Sequence, residues 1–217
     1  MSILTDISEA LEHGKRKQVT QLIQQALDEG LSPDEGLSPQ QILTEGLLPG
    51  MDRVGTKFRN DEIFVPEVLV AARAMNAGTK ILKSLLAETG GVSKGKAVIG
   101  TVKGDLHDIG KNLVKMMIEG TGIEVIDLGV DVTPEAFVKA VEEHNAEIVC
   151  CSALLTTTMP VIGEVVEAFK VAGTRDKVKI MVGGAPVTQE FCDSVGADCY
   201  TPDAASAAIR AAELLSA

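Results

Sequence analysis

Apolar positions recur along this chain with two different periods, and the change falls near residue 90. Before it the spacing is helical. Val19, Leu22, Ile23, Ala26 and Leu27 follow i, i+3, i+4, i+7, i+8, the stripe of a one-sided helix. Ser38-Pro39-Gln40-Gln41 reads as a helix start, with Ser38 as cap, Pro39 in the first turn and Gln41 closing the capping box. Ile42, Leu43 and Leu47 supply its apolar face, and Pro49-Gly50 is expected to break it. Met51, Val54 and Phe58 then continue as a further short helix. Pro66 starts the longest helix, in which Val68, Ala72, Met75, Thr79, Leu82 and Leu86 share a face. Four or five helices and no clear strand predict a small helical bundle over residues 1–88.

Residues 89–95, rich in Gly and Ser, read as a linker. Over 96–217 the pattern alternates between apolar runs and amphipathic stretches. Strands are expected at 96–102, 123–128, 147–152, 178–182 and 198–200. Helices are expected at 109–120, 133–144, 160–172, 188–195 and 203–215. Strict alternation of five strands with five helices implies a parallel sheet covered on both faces, doubly wound in the flavodoxin-like order. One irregularity interrupts the first half: DEGLSP at 28–33 is repeated at once at 34–39. Six residues are too few for a solenoid unit, so this reads as a local duplication that lengthens a surface loop.

Composition narrows the classes of function. The chain has 217 residues, no Trp, one Tyr (Tyr200) and a formal net charge of −11. An aromatic-poor, acidic surface offers neither a base-stacking platform nor a basic footprint, so nucleic-acid binding is not expected. The longest uncharged run, 148–163, has 16 residues and is interrupted by hydroxyls. That is short of the ~20 apolar residues that span a bilayer, and no membrane association is expected. Cys150 and Cys151 lie inside an apolar run, and Cys192 and Cys199 lack the CxxC spacing. They read as buried reduced thiols of a cytoplasmic protein, and the N-terminus does not read as a secretion signal.

In a doubly wound sheet, ligands bind beyond the carboxyl ends of the strands. Those segments here are 103–110, 129–133, 152–159 and 183–186. The first carries Gly104-Asp105-Leu106-His107-Asp108-Ile109-Gly110. Neutral imidazole is a common metal ligand, and its second nitrogen usually donates to a carboxylate that fixes the tautomer. Asp105 or Asp108 could be that carboxylate.

Asp105-x-His107-x-x-Gly110 after the first strand is joined by Ser152-x-Leu154 after the third and Gly183-Gly184 after the fourth. That set resembles the cobalamin-binding domain of methionine synthase and of corrinoid-dependent mutases. In the first half, Val54-Gly55, Phe58 and Phe64-Val65-Pro66-Glu67-Val68, with Ala71 and Met75, resemble the helical cap of methionine synthase and of stand-alone corrinoid proteins. Over almost its whole length the chain is similar to the small corrinoid proteins of anaerobic methyltransferase systems. These carry methyl groups from methanol, methylamines, betaines or methoxylated aromatics.

The resemblance implies a site and a cycle. His107 would be the lower axial ligand to cobalt in place of the cofactor's own benzimidazole, the base-off/His-on state, with Asp105 as its partner. Thr158 stands six positions after Ser152, where methionine synthase has a hydroxyl residue that completes the relay. Asp108, Ile109 and Gly110 would lie close under the corrin. The nucleotide tail would enter beside Ser152, Leu154, Thr156, Gly183 and Gly184, where small residues leave it room. Phe64, Val65 and Val68 would cover the upper face. The implied function is a methyl carrier, not catalytic alone, that accepts a methyl group on Co(I) from a substrate-specific methyltransferase. It would deliver that group from methyl-Co(III) to a tetrahydrofolate or similar acceptor methyltransferase. A reductive activating protein would be the third partner. Two other readings remain at this stage: the cobalamin subunit of an adenosylcobalamin-dependent mutase, and a regulatory module, whether cobalamin-based sensor or phospho-receiver.

Overall fold

The computed structural model describes residues 2–29, 37–88 and 94–216, so the duplicated segment and the Gly-rich stretch before the first strand lie largely outside the described residues. The chain forms two compact units, residues 1–92 with 120–122, and residues 93–119 with 123–217.

The first unit is helical: α1 (Ile3–Glu12), α2 (Arg16–Glu29), α3 (Pro39–Gln41), a π-helical segment (Ile42–Leu47), α4 (Leu48–Arg59) and α5 (Val65–Glu88). No helix is expected before Val19 from the apolar spacing, yet α1 is well specified. Ser2 caps it by accepting the Thr5 N–H, and Ile7, Ala10 and Leu11 face inward. Ser38 and Gln41 form the expected reciprocal capping box. Pro49-Gly50 does not break the helix, contrary to expectation. The π segment runs straight into α4, with the Leu48 N–H reaching back five residues to the Leu43 carbonyl. Pro49 falls in the first turn of α4, a position where the missing N–H is tolerated, and the widened turn before it absorbs the change of register. Gly50 serves packing: a Cβ there would stand 2.7 Å from the Ser8 carbonyl oxygen, so glycine lets α4 lie against α1. Ile7, Leu11, Ile23, Ile42, Leu47, Met75 and Leu82 are fully buried, each contributing about 1.5–3 kcal/mol of transfer free energy.

The second unit is a five-stranded parallel sheet. Its strands are β1 (Lys96–Thr101), β2 (Glu124–Asp127), β3 (Ile148–Ser152), β4 (Lys179–Gly183) and β5 (Cys199–Tyr200), in the order β2-β1-β3-β4-β5. The helices are α6 (Ile109–Glu119), α7 (Pro134–His144), α8 (Met159–Val171), α9 (Gln189–Val195) and α10 (Ala204–Ser216). Side chains alternate across the sheet as strand geometry requires. Val98, Val149, Cys151, Ile180 and Val182 pack with Phe137, Ile162, Val165 and Phe169 of α7 and α8. The opposite face lies under α6 and α10, which pack on each other. This is the flavodoxin-like architecture expected from the sequence.

The strand order reverses between β1 and β3, so the crevice of this fold opens at their carboxyl ends. Thr101, Ser152 and Gly183 stand side by side in register there. An isolated parallel bridge between Val102 and Val132 brings the loop after β2 to the same edge.

Candidate functional site

The crevice is built around one buried carboxylate. Asp105 is fully buried, and both of its oxygens are engaged. Oδ1 accepts the His107 N–H at 3.0 Å and lies 2.7 Å from His107 Nδ1. Oδ2 accepts the Leu154 N–H at 2.7 Å and lies 2.9 Å from Thr158 Oγ1. Burial by itself would raise the Asp105 carboxyl. The hydrogen bonds from the His107 and Leu154 amides, the His107 ring and the Thr158 hydroxyl outweigh it and hold the group well below the usual carboxylate range. An ionised carboxylate has no proton to give, so Nδ1 is the donor of the pair. The lone pair of the ring is left on Nε2. The imidazole is half exposed.

Asp105 is therefore the carboxylate that holds His107. Asp108 is exposed and bonds instead to the Asn112 side chain at 3.1 Å. Thr158 sits at the N-cap of α8, but its hydroxyl does not cap that helix. Its single proton lies between Asp105 Oδ2 and the Leu155 carbonyl oxygen at 3.0 Å. A residue type that ordinarily caps a helix start is here turned toward the carboxylate.

The loop that carries the pair is held by residues that sequence reasoning missed. Fully buried Thr101 donates its hydroxyl to the His107 carbonyl oxygen at 2.8 Å. Asp131, in a left-handed conformation with φ of 55°, accepts the Gly104 N–H at 2.7 Å and donates its own N–H to the Asp105 carbonyl at 3.0 Å. The left-handed backbone of a non-glycine residue was the one local feature that could have marked Asp131, and it is not written in the sequence.

Around this pair the surface is apolar where a soluble loop is ordinarily polar. Leu106 is 71% exposed and Ile109 82%, with Leu154 and Leu155 also exposed on the neighbouring loop. Thr156 is exposed beside them, and Ser152 is half-buried. At Gly110 a Cβ would meet nothing within 4 Å, so the fold itself does not demand glycine there. Gly184 differs. Its φ is 132°, and a Cβ would fall 1.8 Å from the Ala153 carbonyl oxygen, so the β4 loop lies flat against the backbone after β3. At Gly183 a Cβ would make an ordinary 3.5 Å contact with the Thr201 carbonyl oxygen. In the helical unit Phe64 and Val65 are exposed at the start of α5, whereas Val68 is fully buried. All four cysteines are free and buried. Burial pushes the Cys150 thiol up to about 12 and Cys192 to about 11, and raises Cys151 as well, so these three are protonated at neutral pH. Among the described residues no helix is long and apolar enough to cross a membrane.

Comparison with known proteins agrees with this geometry. The family described as "B12 binding domain" matches residues 95–211, and a second family of the same description matches residues 3–83. The dimethylamine corrinoid protein of Methanosarcina barkeri is 43% identical over 214 residues, covering 98% of this chain and 97% of that protein. A corrinoid protein of Desulfitobacterium hafniense is 40% identical over 218 residues, covering 99% and 98%. Among solved structures, the methanol:cobalamin methyltransferase complex of Methanosarcina barkeri matches with a TM-score of 0.85 and 30% identity, covering 99% of this chain and 80% of that one. A cobalamin-binding protein from Desulfitobacterium hafniense matches with a TM-score of 0.79 and 31% identity, covering 97% and 98%. A buried Asp105 holding a half-exposed His107 on an exposed apolar crevice, two cobalamin-binding family matches that together span most of the chain, and near full-length relatives lead to one assignment: this chain belongs to the small corrinoid proteins, the cobalamin-binding methyl carriers of methyltransferase systems.

Proposed function

We propose that the chain holds its corrinoid base-off, with His107 Nε2 as the lower ligand to cobalt, and that the methyl group it carries comes from a methylated amine. The single observation behind the first part is the Asp105–His107 pair, in which the carboxylate engages Nδ1 of a half-exposed ring and leaves Nε2 as the nitrogen available to a metal. The residues present fit such a group. Gly110 borders open space, and the apolar side chains of Leu106 and Ile109 beside it would meet a macrocycle better than water. Support for the amine donor is the dimethylamine corrinoid proteins among the relatives.

When bound, the corrinoid supplies a cobalt centre that accepts a methyl group and gives it up again. The protein's part is to offer and withdraw a ligand. Asp105, kept ionised by four donors, orients the ring and makes Nε2 a stronger donor. The bond to Nδ1 sets how firmly Nε2 is offered. Thr158 adjusts that balance, since its hydroxyl can turn from Asp105 to the Leu155 carbonyl. Ser152, Leu154 and Thr156 after β3, with Gly183 and Gly184 after β4, would border the nucleotide tail, and exposed Asp108 and Ile109 the corrin. From the helical unit, Phe64 and Val65 would offer apolar contact. Val68, one turn into the same helix and fully buried, is proposed with them as part of the cover of the methyl-bearing face.

A carrier needs partners. Methyltransferases are the general class, and the finer reading is three proteins: a substrate-specific methyltransferase for a methylamine, an acceptor methyltransferase using tetrahydrofolate or a similar acceptor, and a reductive activating protein. The setting is cytoplasmic. Purified chain mixed with hydroxocobalamin should retain one corrinoid through gel filtration. Reduced and paired with a dimethylamine-specific methyltransferase, it should take up methyl from dimethylamine in preference to methanol. A colourless protein would overturn the cofactor assignment, and preference for methanol would overturn the donor.

A further inference from the structure

Lys111, in the first turn of α6, is only 3% exposed. Its ammonium donates to Asp127 Oδ1 at 2.6 Å and to Asn112 Oδ1 at 2.8 Å. Asp127, the last residue of β2, also accepts the Gly129 N–H at 2.9 Å and lies 3.3 Å from Lys115 Nζ. Burial alone would raise its carboxyl, but Lys111, the Gly129 amide and Lys115 hold it below the ordinary value. Asn112 continues the chain. Its side-chain amide donates to Asp108 Oδ2 at 3.1 Å, and its N–H donates to the Asp108 carbonyl at 2.8 Å. A line of polar contacts thus runs from the end of β2, through a buried ammonium, to the residue that follows His107.

Stability does not account for this arrangement. Taking an ammonium out of water costs several kcal/mol, and buried ion pairs exchanged for apolar residues of similar volume are often neutral or more stable. What the pair fixes is geometry. His107 has its own N–H tied to Asp105 and its carbonyl tied to Thr101. Neither bond fixes the start of α6 against the edge strand, and a drift there would carry the imidazole with it. The Lys111–Asp127 pair closes that freedom.

We propose that Lys111 and Asp127 are positioning residues for His107, locking the first turn of α6 to the end of β2 so that the imidazole nitrogen is presented at a fixed place. The proposal rests on the reading of His107 as the cobalt ligand, and the test separates the two. In the full-length chain, Lys111→Met removes the charge and keeps the length. Asp127 is partly exposed and keeps Lys115 and the Gly129 amide, so the thermal midpoint should fall by only a few degrees. Amide hydrogen exchange at His107 should rise about tenfold or more, while Val149 and Ile180 in the sheet core keep wild-type rates. Hydroxocobalamin affinity, followed by absorption, should fall about tenfold with the loss of preorganisation. Asp127→Asn keeps an acceptor and should give a smaller rise at His107. Lys115→Met leaves the buried pair intact and removes only the longer 3.3 Å contact with Asp127, so its rise at His107 should be smaller than that of Lys111→Met. Wild-type exchange at His107 in Lys111→Met overturns the proposal. If that variant does not fold, Asp127→Asn decides: exchange unchanged at His107 overturns the proposal, and a rise confined to the loop supports it. A rise at His107 together with a wild-type holoprotein lacking a histidine nitrogen on cobalt would retain the positioning role and sink only the ligand assignment.

Discussion

The loops after β1 and after β4 face the same crevice and are fixed by opposite means. The β1 loop is held by what its side chains add: Asp105 takes four donors, Thr101 holds the His107 carbonyl, and Asp131 holds Gly104. The β4 loop is held by what is missing. Gly184 lies on the Ala153 backbone where no side chain fits, and the Ala153 N–H bonds the Gly183 carbonyl at 3.1 Å. The first loop is thus sensitive to charge and proton position, the second to volume. Under the proposed reading, the first kind would suit a loop that holds and releases a metal, and the second a slot for the nucleotide tail.

Substitutions can break this contrast, and the largest effect is expected in the glycine loop. Gly184→Ala places a Cβ 1.8 Å from a backbone oxygen at a φ of 132°, so loop and strand must part. A loss on the order of 3 kcal/mol follows, read as a fall of about 10 °C in the thermal midpoint. The effect should not change with pH.

Asp105→Asn comes next. One carbonyl and one NH₂ would face four donors, so about 2 kcal/mol should be lost at neutral pH. This loss should depend on pH, because the folded carboxyl is depressed. Its contribution is complete above the unfolded value of about 4 and disappears as pH falls toward the folded value. In urea unfolding, the gap between wild type and variant should therefore be constant down to about pH 5 and shrink below about 4. A gap that ignores pH would mean that the carboxylate is not held ionised by its neighbours.

Thr158→Val keeps the shape and deletes the hydroxyl, leaving Asp105 Oδ2 with the Leu154 amide alone. About 1 kcal/mol should be lost, and Thr158→Ser should restore most of it. Equal loss in both variants would assign the effect to the methyl group, which stands 3.6 Å from where a Cβ on Gly104 would be. The smallest effect is expected at Gly183→Ala, where an ordinary contact predicts a change within about 0.5 kcal/mol in the apoprotein. A slot used by the nucleotide tail would still show this variant as weaker corrinoid binding.

The sheet was legible in the sequence because each strand is a short apolar run bounded by turn residues, and its length and flanks, together with the helical stretches between runs, separate it from a buried helix where period alone would not. Strand ends shifted by one residue or so: 96–102 ends at Thr101, whose hydroxyl turns to the His107 loop, and Val102 continues only as a bridge to Val132. Helix α1 carries its own signals in Ser2, Ile7 and Leu11, but at 10 residues its apolar stripe repeats too few times to stand out. Pro49 misled because a proline is read as a stop, and the π turn that accommodates it depends on packing in three dimensions. At the site, Asp105-x-His107 was legible because the two residues pair within one tight loop. Thr101, Asp131, Lys111 and Asp127 were not. Their bonds join segments 6 to 27 residues apart, and no local period encodes them.

The central claim is that Asp105 presents Nε2 of His107 to cobalt, and electron paramagnetic resonance of the Co(II) holoprotein tests it directly. Protein grown with nitrogen-15 histidine and loaded with unlabelled cobalamin should replace the three-line splitting of each cobalt feature by a two-line splitting, because a nitrogen-15 nucleus on the lower axis has two spin orientations in place of three. His13 follows the last turn of α1 and His144 closes α7, so neither belongs to the Asp105 loop. A three-line pattern that persists in the labelled protein would show the cofactor's own base on the metal and would contradict the account.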